Sequence, residues 1–553
     1  MHTDLFGNTQ GLHYLARRRL ENLYNKKVDA ASIVDFDRAH TLMQLSREIG
    51  RQVGLLVNRR GVVEAVIVGD RQRLEVPPLA TERAGRARFR GIRLIHTHLG
   101  GELLSKEDLT DLAMLQLDLV ACITQRAGEP VETIHIGHLV PENSTGQAWD
   151  FIGPLPINEL DMDFTEFITE LEGEFIRERG SHFVTARGEE QQALLVMVVM
   201  PGRHKNLEER IAELKDLCRT AGLDPIDVVV QRPKELHPKY LIGKGKIEEI
   251  VIKSQQMGAD TLVFDEELFP GQIHNITSLT ELKVIDRSQL ILDIFASRAT
   301  TNDAKLQVEL AQLRYILPRL IGKGTAMSRL MGGIGGRGPG ETKLEVDRRR
   351  VRARIGMLER RLKDVRKVRE QKRERRRGAG IPVVSIVGYT NSGKSTLLNL
   401  LTKSEVEAQN RPFSTLSPTT RVIKYPERKN IILTDTVGFI EDLPKVLLRA
   451  FAATLEELDD ATMLLHLVDI SAPDFEEKIE AVEKILTELN LVGKRRLLVF
   501  NKIDRIDPHL VRLVDARYNA VSISCLNEEG IERLVRRIET EVAAERGIAP
   551  EAL

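Results

Sequence analysis

Three short segments carry residues whose types and order suit the binding and hydrolysis of a guanine nucleoside triphosphate. Gly388-Tyr389-Thr390-Asn391-Ser392-Gly393-Lys394-Ser395-Thr396 has the spaced glycines of a phosphate-binding loop. Bare backbone N–H groups there can wrap the phosphates, Lys394 can reach the β and γ oxygens, and Ser395 can ligate Mg2+. Any purine triphosphate would satisfy that loop. Asn501-Lys502-Ile503-Asp504 discriminates among them, because a carboxylate at the base edge accepts from both the N1–H and the exocyclic amine of guanine, a pair that adenine does not offer. Between the two, Asp435-Thr436-Val437-Gly438 supplies an acid to hold Mg2+ through water and a backbone N–H, that of Gly438, for the γ-phosphate.

The expected reacting groups are Lys394, Gly438 and a switch threonine that ligates Mg2+ with Ser395. Thr415, in Phe413-Ser414-Thr415-Leu416-Ser417, is the candidate, and Thr419 and Thr420 lie close enough to compete. Phe439 follows Gly438 where a glutamine would orient the attacking water, so intrinsic hydrolysis is expected to be slow and to await a partner. Ser524-Cys525-Leu526 stands where a second, weaker loop would meet the guanine carbonyl through backbone N–H, with Cys525 as a small residue in place of alanine.

These groups need strands that end where they begin. Val383 to Val387 leads into the phosphate loop, Ile431-Ile432-Leu433 into Asp435, Leu464 to Val468 into Asp469, Leu497 to Phe500 into Asn501, and Val521 to Ile523 into Ser524. Each motif then lies at a strand's carboxyl end, where open α/β sheets bind ligands. A helix opening at Ser395 would point its N-terminus at the phosphates.

The chain has 553 residues, room for three or four domains, and its 81 Lys and Arg balance 81 Asp and Glu. Its longest apolar stretch, Ala193 to Met200, is too short to span a bilayer, and Met1-His2-Thr3-Asp4 has no signal pattern. A cytoplasmic monomer is expected. Cys122, Cys218 and Cys525 stand far apart and read as ordinary buried thiols, without disulfide or thiolate–zinc spacing.

The charge balance hides a basic run. From Glu345 to Gly378 there are sixteen Lys and Arg against six acids, and Val351, Ile355, Leu358, Leu362, Val365 and Val368 form one apolar stripe. Leu306, Leu310, Leu313, Leu317 and Leu320 form another, and the two can bury each other as an antiparallel helical hairpin. The connection is glycine-rich, Met331 to Gly340, with Lys323, Arg329 and Arg337 in or near it. Contact with structured RNA backbone is expected there, in preference to a plain linker.

These features together resemble the HflX family of translational GTPases. Further residues in family order carry the likeness: Tyr240-Leu241-Ile242-Gly243-Lys244-Gly245-Lys246, Val263-Phe264-Asp265-Glu266-Glu267-Leu268, Val284-Ile285-Asp286-Arg287, Leu306-Gln307-Val308-Glu309-Leu310, and Arg337 to Glu345. Lys343 stands where the family usually has Gln. The resemblance covers roughly Leu194 to Val542 and favours Thr415 as the switch threonine. It implies GTP or GDP with Mg2+ as cofactors, the large ribosomal subunit and its rRNA as partner, and the splitting or rescue of stalled or idle ribosomes. Apolar strands at Leu194 to Met200, Asp227 to Gln231, Thr261 to Phe264 and Lys283 to Ile285 alternate with helical patterns from Leu207, Lys246 and Ile273, a small parallel α/β layer that in the family precedes the hairpin. A second, ATP-using site has been linked to this layer. Here Gly243-Lys244-Gly245-Lys246 is followed by no Mg2+-ligating Ser or Thr, so RNA or intradomain contact is the favoured reading. An RNA-binding or remodelling module regulated by GTP is the rival function. A zinc hydrolase fused to a GTPase switch is the third.

That third reading rests on His96-Thr97-His98, Ser105 and Asp108, which resemble, more weakly, the zinc motif of JAMM- or RadC-like domains. The resemblance would make His96, His98 and Asp108 ligands, Ser105 an oxyanion support and Glu64 the base. The interval from His98 to Ser105 is one residue short and Leu99 replaces a proline. The expectation is an inert scaffold, with Ser105 and Asp108 displaced and Zn2+ only the alternative. Asp150 to Ser181 is expected to be an acidic helical stretch.

The expected fold is α/β. It consists of a P-loop GTPase domain with a doubly wound, mostly parallel sheet at 379–553, preceded by an α/β extension at 1–182, a small α/β domain at 183–300 and a helical hairpin at 301–378.

Overall fold

A computed structural model describes residues 4–77, 79, 89–125, 132–141, 147–182, 191–200, 206–280, 282–320, 343–378, 381–403, 419–424, 431–436, 438–440 and 458–546. The hairpin loop with Lys323, Arg329 and Arg337, the segment Phe413 to Ser417 with Thr415, and Val437 lie outside them. The chain divides into two compact units, one of residues 1–194, 236–262 and 275–283, the other of 195–235, 263–274 and 284–553.

The first unit holds a seven-stranded sheet of β1 (Leu5–Gly7), β2 (Val53–Asn58), β3 (Val63–Val68), β4 (Ile92–His98), β5 (Val120–Thr124), β6 (Thr133–Leu139) and β7 (Trp149–Pro156), ordered β1-β3-β2-β4-β5-β6-β7. Only β1–β3 and β4–β5 pair in parallel. Every residue of β4 and of β5 is buried, the run expected of strands covered on both faces. The covering helices include α1 (Tyr14–Glu21), α2 (Phe36–Ile49), α3 (Lys106–Leu115) and α4 (Phe164–His182). α2 starts at Asp35, whose carboxylate accepts from Arg38 N, and stops at Gly50 in the left-handed region, the usual polar start and glycine stop. The expected helical stretch from Asp150 is corrected in part. Asp150 to Pro156 is strand, hydrogen-bonded to β6, and the helix begins only at Phe164. Acidic composition alone did not reveal that edge.

The next strands are β8 (Gln191–Val198), β9 (Leu223–Gln231), β10 (Thr261–Phe264) and β11 (Lys283–Asp286), in the order β11-β10-β8-β9. With them come α5 (Leu207–Thr220), α6 (Lys244–Met257), α7 (Pro270–Leu279) and α8 (Arg287–Arg298). α9 (Asn302–Ile316) and α10 (Lys343–Gly378) follow, and Leu306, Leu310 and Leu358 bury one another with Leu313, Ile355 and Leu362 alongside. Each leucine fully buried there contributes on the order of 1.5–3 kcal/mol. Arg354–Glu309 and Arg314–Glu359 pairs, both at 2.6 Å, flank the seam.

The last sheet is ordered β13-β14-β12-β15-β16-β17, from β12 (Val383–Val387), β13 (Thr419–Val422), β14 (Ile432–Asp435), β15 (Met463–Asp469), β16 (Arg496–Asn501) and β17 (Val521–Ser522). All its pairings are parallel except β13–β14. α11 (Lys394–Thr402), α12 (Phe475–Glu488), α13 (Pro508–Tyr518) and α14 (Ile531–Arg546) accompany it. Leu397, Leu398 and Leu401 of α11 and Leu534, Val535 and Ile538 of α14 are buried in its core.

Candidate functional site

β12 runs into the glycine loop and α11 leaves it, so the strand ends where the phosphates would begin. Two glycines make this geometry possible. Gly388 has φ +156°, and a Cβ on it would lie 2.2 Å from Leu467 O. Gly393 has φ +98°, and a Cβ there would lie 2.3 Å from Asn501 Nδ2. Neither position tolerates a side chain. Gly393 is also the residue before α11, so the first N–H groups of that helix face the loop, the arrangement that favours anions.

Lys394 is buried and its ammonium donates to Tyr389 O at 2.6 Å. Burial lowers its pKa to about 8, against a smaller upward pull from Asp435. Ser395 Oγ donates to Asp435 Oδ2 at 2.9 Å, which brings the two expected Mg2+ residues together. Thr436 Oγ1 donates to Ile386 O at 2.7 Å, holding the end of β14 to β12. A Cβ on Gly438 would sit 3.1 Å from Lys394 Nζ and 3.0 Å from Thr390 Cγ2. Its backbone therefore borders the lysine head. Phe439 is buried, with Thr390 N donating to Phe439 O at 2.7 Å and Phe439 N to Gly388 O at 3.1 Å.

The base-side residues form one connected set. Asn501, buried, donates through Nδ2 to Ser392 O at 2.9 Å and accepts through Oδ1 from Cys525 N at 3.1 Å. Lys502 donates to Asn391 O at 2.9 Å and to Asp469 Oδ2 at 2.6 Å. Ser524 Oγ donates to Asp504 Oδ1 at 2.6 Å. Ile503 packs in a small core with Phe500, while Leu526 is exposed. Four segments separate in sequence, at Asn391–Ser392, Asp469, Asn501–Asp504 and Ser524–Cys525, thus hold one another through polar atoms.

Three family models match the chain: "GTP-binding GTPase N-terminal" at residues 208–296, "GTP-binding GTPase Middle Region" at 298–376 and "50S ribosome-binding GTPase" at 383–502. The chain is 46% identical over 361 residues to GTPase HflX of Caldanaerobacter subterraneus subsp. tengcongensis, covering 65% of this chain and 82% of that one. It belongs to the HflX GTPase family. GTPase HflX of Escherichia coli K12 is 44% identical over 358 residues, covering 64% of this chain and 84% of its own. Among solved structures, the SsGBP and GDP complex is 27% identical and spans 64% of this chain and 99% of its own, with a TM-score of 0.39. This HflX GTPase binds GTP through its P-loop and hydrolyses it to GDP and phosphate.

Sequence reasoning missed what braces the loop from outside. Tyr389 Oη donates to Glu213 Oε1 of α5 at 2.7 Å. Glu213 pairs with the buried Arg287 at 2.8 Å, and Arg287 pairs with Asp265 at 2.9 Å. Arg210 also donates to Asp265. Burial alone would raise the pKa of Asp265, but Arg287 and Arg210 hold it below the ordinary carboxylate range. Asp265 and Arg287 both fall in segments that resemble the family, and this is the signal that marked them. Asp469 was marked only by its place at the end of a strand. Downstream of β9, Lys244 and Lys246 pair with Glu248 and Glu249 of their own helix at 3.4 and 2.5 Å.

On the N-terminal sheet the structure overturns two expectations. Asp108 is not displaced: its Oδ1 lies 3.3 Å from His96 Nε2 and its Oδ2 3.5 Å from His98 Nε2. The short interval is absorbed because Ser105 caps α3 in a capping box, each residue's side chain bonding the other's backbone N–H, which turns Asp108 back toward β4. Glu64 is the second correction. It is exposed on β3 and accepts from Asn58 Nδ2 at 3.0 Å. The residues in line with His96 are Gly54 on β2 and, beyond it, Ile67 on β3. Glu64 is three positions away from Ile67, about 10 Å along the strand, and cannot serve as a base for groups bound at the histidines. Cys122, read as an ordinary thiol, lies beside His96 in the parallel β4–β5 register.

Proposed function

We propose that this HflX GTPase is a ribosome-associated switch that binds the large ribosomal subunit in its GTP state and splits or rescues stalled or idle ribosomes as hydrolysis resets it. The observation that carries the reading is the match of residues 383–502 to a model described as a 50S ribosome-binding GTPase. It agrees with the basic composition of α10, sixteen Lys and Arg against six acids from Glu345 to Gly378, which suits a polyanionic surface. We assign the working parts as an extension at 1–182, an α/β domain at 183–300, a helical hairpin at 301–378 and a GTPase domain at 379–553. The absence of any described helix long and apolar enough to cross a membrane is compatible with this role.

Within the GTPase domain, the backbone N–H groups from Asn391 to Thr396 would hold the phosphates and Lys394 would neutralise the β and γ oxygens. Ser395, with Thr415 from the switch segment, would hold Mg2+, and Asp435 would hold it through water. The donor set fits, since a hydroxyl and a carboxylate already meet at 2.9 Å and hard oxygen donors suit that ion. When bound, Mg2+ supplies charge neutralisation between the phosphates. Gly438 N–H would sense the γ-phosphate, a role supported by the closeness of its backbone to the Lys394 head. Asp504 would read guanine, with one carboxylate oxygen oriented by Ser524, and the Ser524-Cys525-Leu526 loop, tied to Asn501 through Cys525 N, would meet the guanine carbonyl through backbone N–H. Phe439, turned into the core, leaves water orientation to a partner.

Cosedimentation with ribosomal subunits under GTP, GDP and a non-hydrolysable analogue tests the assignment. Binding to the large subunit is expected with the triphosphates and not with GDP. Indifference of binding to nucleotide, or selective binding to free RNA hairpins, would favour the GTP-regulated RNA module instead.

A further inference from the structure

The segments Val263 to Leu268 and Val284 to Arg287 carry part of the family likeness, yet none of their residues lies in the nucleotide site. Their polar side chains meet behind it. Arg287 opens α8 and is buried. Its guanidinium divides between two acids, Nη1 donating to Asp265 Oδ1 at 2.9 Å and Nη2 to Glu213 Oε2 at 2.8 Å. Arg210, on the same helix as Glu213, donates to the other oxygen of Asp265. Charge-assisted bonds of this kind hold the Glu213 carboxylate in one orientation, and its remaining oxygen, Oε1, accepts from Tyr389 Oη at 2.7 Å. Tyr389 is thereby gripped at its tip. At its backbone the same residue accepts from Lys394 Nζ at 2.6 Å and bridges in parallel to Phe439, the residue after Gly438. Where Tyr389 sits therefore sets where the Lys394 ammonium rests.

One residue upstream, Asp286 grips the helical hairpin as Arg287 grips the loop. It ends β11, is fully buried, and accepts from Gln289 N at 2.9 Å and from Tyr315 Oη through Oδ1. Its Oδ2 accepts from Leu268 N at 3.0 Å and from Arg319 Nη2 at 3.4 Å. Arg319 also donates to Leu268 O at 2.9 Å, and its guanidinium lies 3.4 Å from the centre of the Tyr315 ring. Tyr315 belongs to the last turn of α9, and Arg319 to the short turn Leu317–Arg319 that precedes the glycine-rich connection in sequence. Two consecutive residues thus hold the base of the hairpin on one side and the phosphate loop on the other. Buried, fully bonded groups have little room to absorb a displacement, so a shift at one end is passed to the other.

We propose that Tyr389, Glu213 and Arg287 are positioning residues for GTP hydrolysis, holding Lys394 through the Tyr389 carbonyl, and that Asp286 makes the base of the hairpin part of the same support. A ligand that displaces the hairpin is then felt at Lys394, and a bound nucleotide is felt at the hairpin, since coupling between two sites is reciprocal. None of these contacts involves a ribosome. The support is measurable in the isolated protein and stands apart from the ribosomal assignment.

The test uses the full chain with Mg2+, and reads KM and kcat for GTP together with Kd for GDP by calorimetry. Tyr389→Phe keeps the ring and removes only the hydroxyl. Because the loop grips the phosphates in ground and transition states alike, KM and Kd should both rise about threefold to tenfold, with kcat within about twofold of the parent. Adding Tyr389→Phe to Glu213→Ala should cost nothing further, since both remove the same bond. Tyr315→Phe, at the hairpin base, should raise KM and Kd at least about twofold, and that effect should vanish in the Glu213→Ala background, where the path is cut. A lowered thermal transition in Tyr389→Phe with KM and Kd unmoved would mark a merely structural brace and overturn the assignment, without reliance on the more disruptive Glu213→Ala. Parent-like KM and Kd in Tyr315→Phe, or an effect that survives in Glu213→Ala, would refute the link to the hairpin.

Discussion

Nucleotide binding should take up a proton at Lys394. The perturbation is pH alone. Burial lowers this lysine to about 8, with Asp435 the charge pulling it back up, and its head is directed at Tyr389 O. Phosphate oxygens beside the ammonium favour the charged form and return the pKa toward its ordinary value. The sign follows. The free protein at pH 8 is about half neutral at Lys394 and the complex is charged, so binding takes up about 0.5 proton at pH 8 and about 0.1 at pH 7. Affinity then falls as pH rises, about twofold at pH 8 and about tenfold at pH 9, the latter about 1.4 kcal/mol. Calorimetric titration of GDP at pH 7 and 8, each in two buffers of different ionisation enthalpy, measures the proton count directly. A count near zero at pH 8, or equal counts at both pH values, would refute the reasoning and show that Lys394 stays charged in the empty loop.

Asp504→Asn exchanges an acceptor oxygen for a donor at the base edge, so guanine affinity should weaken by roughly 1–3 kcal/mol and xanthine nucleotides should gain; unchanged GTP affinity in a binding titration would remove Asp504 from the base site. Since the buried Phe439 cannot orient water, added large subunits should raise the turnover number at least about tenfold, whereas fast turnover indifferent to ribosomes would contradict it. Replacing Lys323, Arg329 and Arg337 together by Ala should weaken subunit binding and reduce its salt slope by roughly two to three. An unaltered slope would make the hairpin loop a linker.

The GTPase motifs were legible because each is local: a strand, a turn and a few residues whose chemistry needs no distant neighbour. The strand before each motif was expected within a residue or two of where it lies, as with Val383–Val387 and Ile432–Asp435. The two apolar stripes of α9 and α10 were equally local, and Leu306, Leu310 and Leu358 do bury one another. What was not legible depends on strand order and register. Tyr389 meets Glu213 across 176 residues, and no periodicity records that α5 would stand beside the phosphate loop.

The N-terminal sheet shows the same limit from the opposite side. A motif read as a string made Glu64 a base and Cys122 a bystander, but the order β3-β2-β4-β5 inserts β2 between Glu64 and the histidines while setting Cys122 directly beside them. The missing residue between His98 and Ser105 looked disabling in sequence. In three dimensions a helix cap absorbs it, because Asp108 bonds Ser105 through Oδ2 and keeps Oδ1 toward His96. One carboxylate thus both starts α3 and faces the imidazoles. Removing it should therefore disturb the helix start and the cluster together, whereas Ser105→Ala should weaken only the cap, by about 1 kcal/mol, a difference that thermal unfolding of the two variants measures. An equal loss of stability in Asp108→Ala and Ser105→Ala would mean that the position of Asp108 depends on the cap itself, and that the shortened interval is tolerated only because the serine holds it.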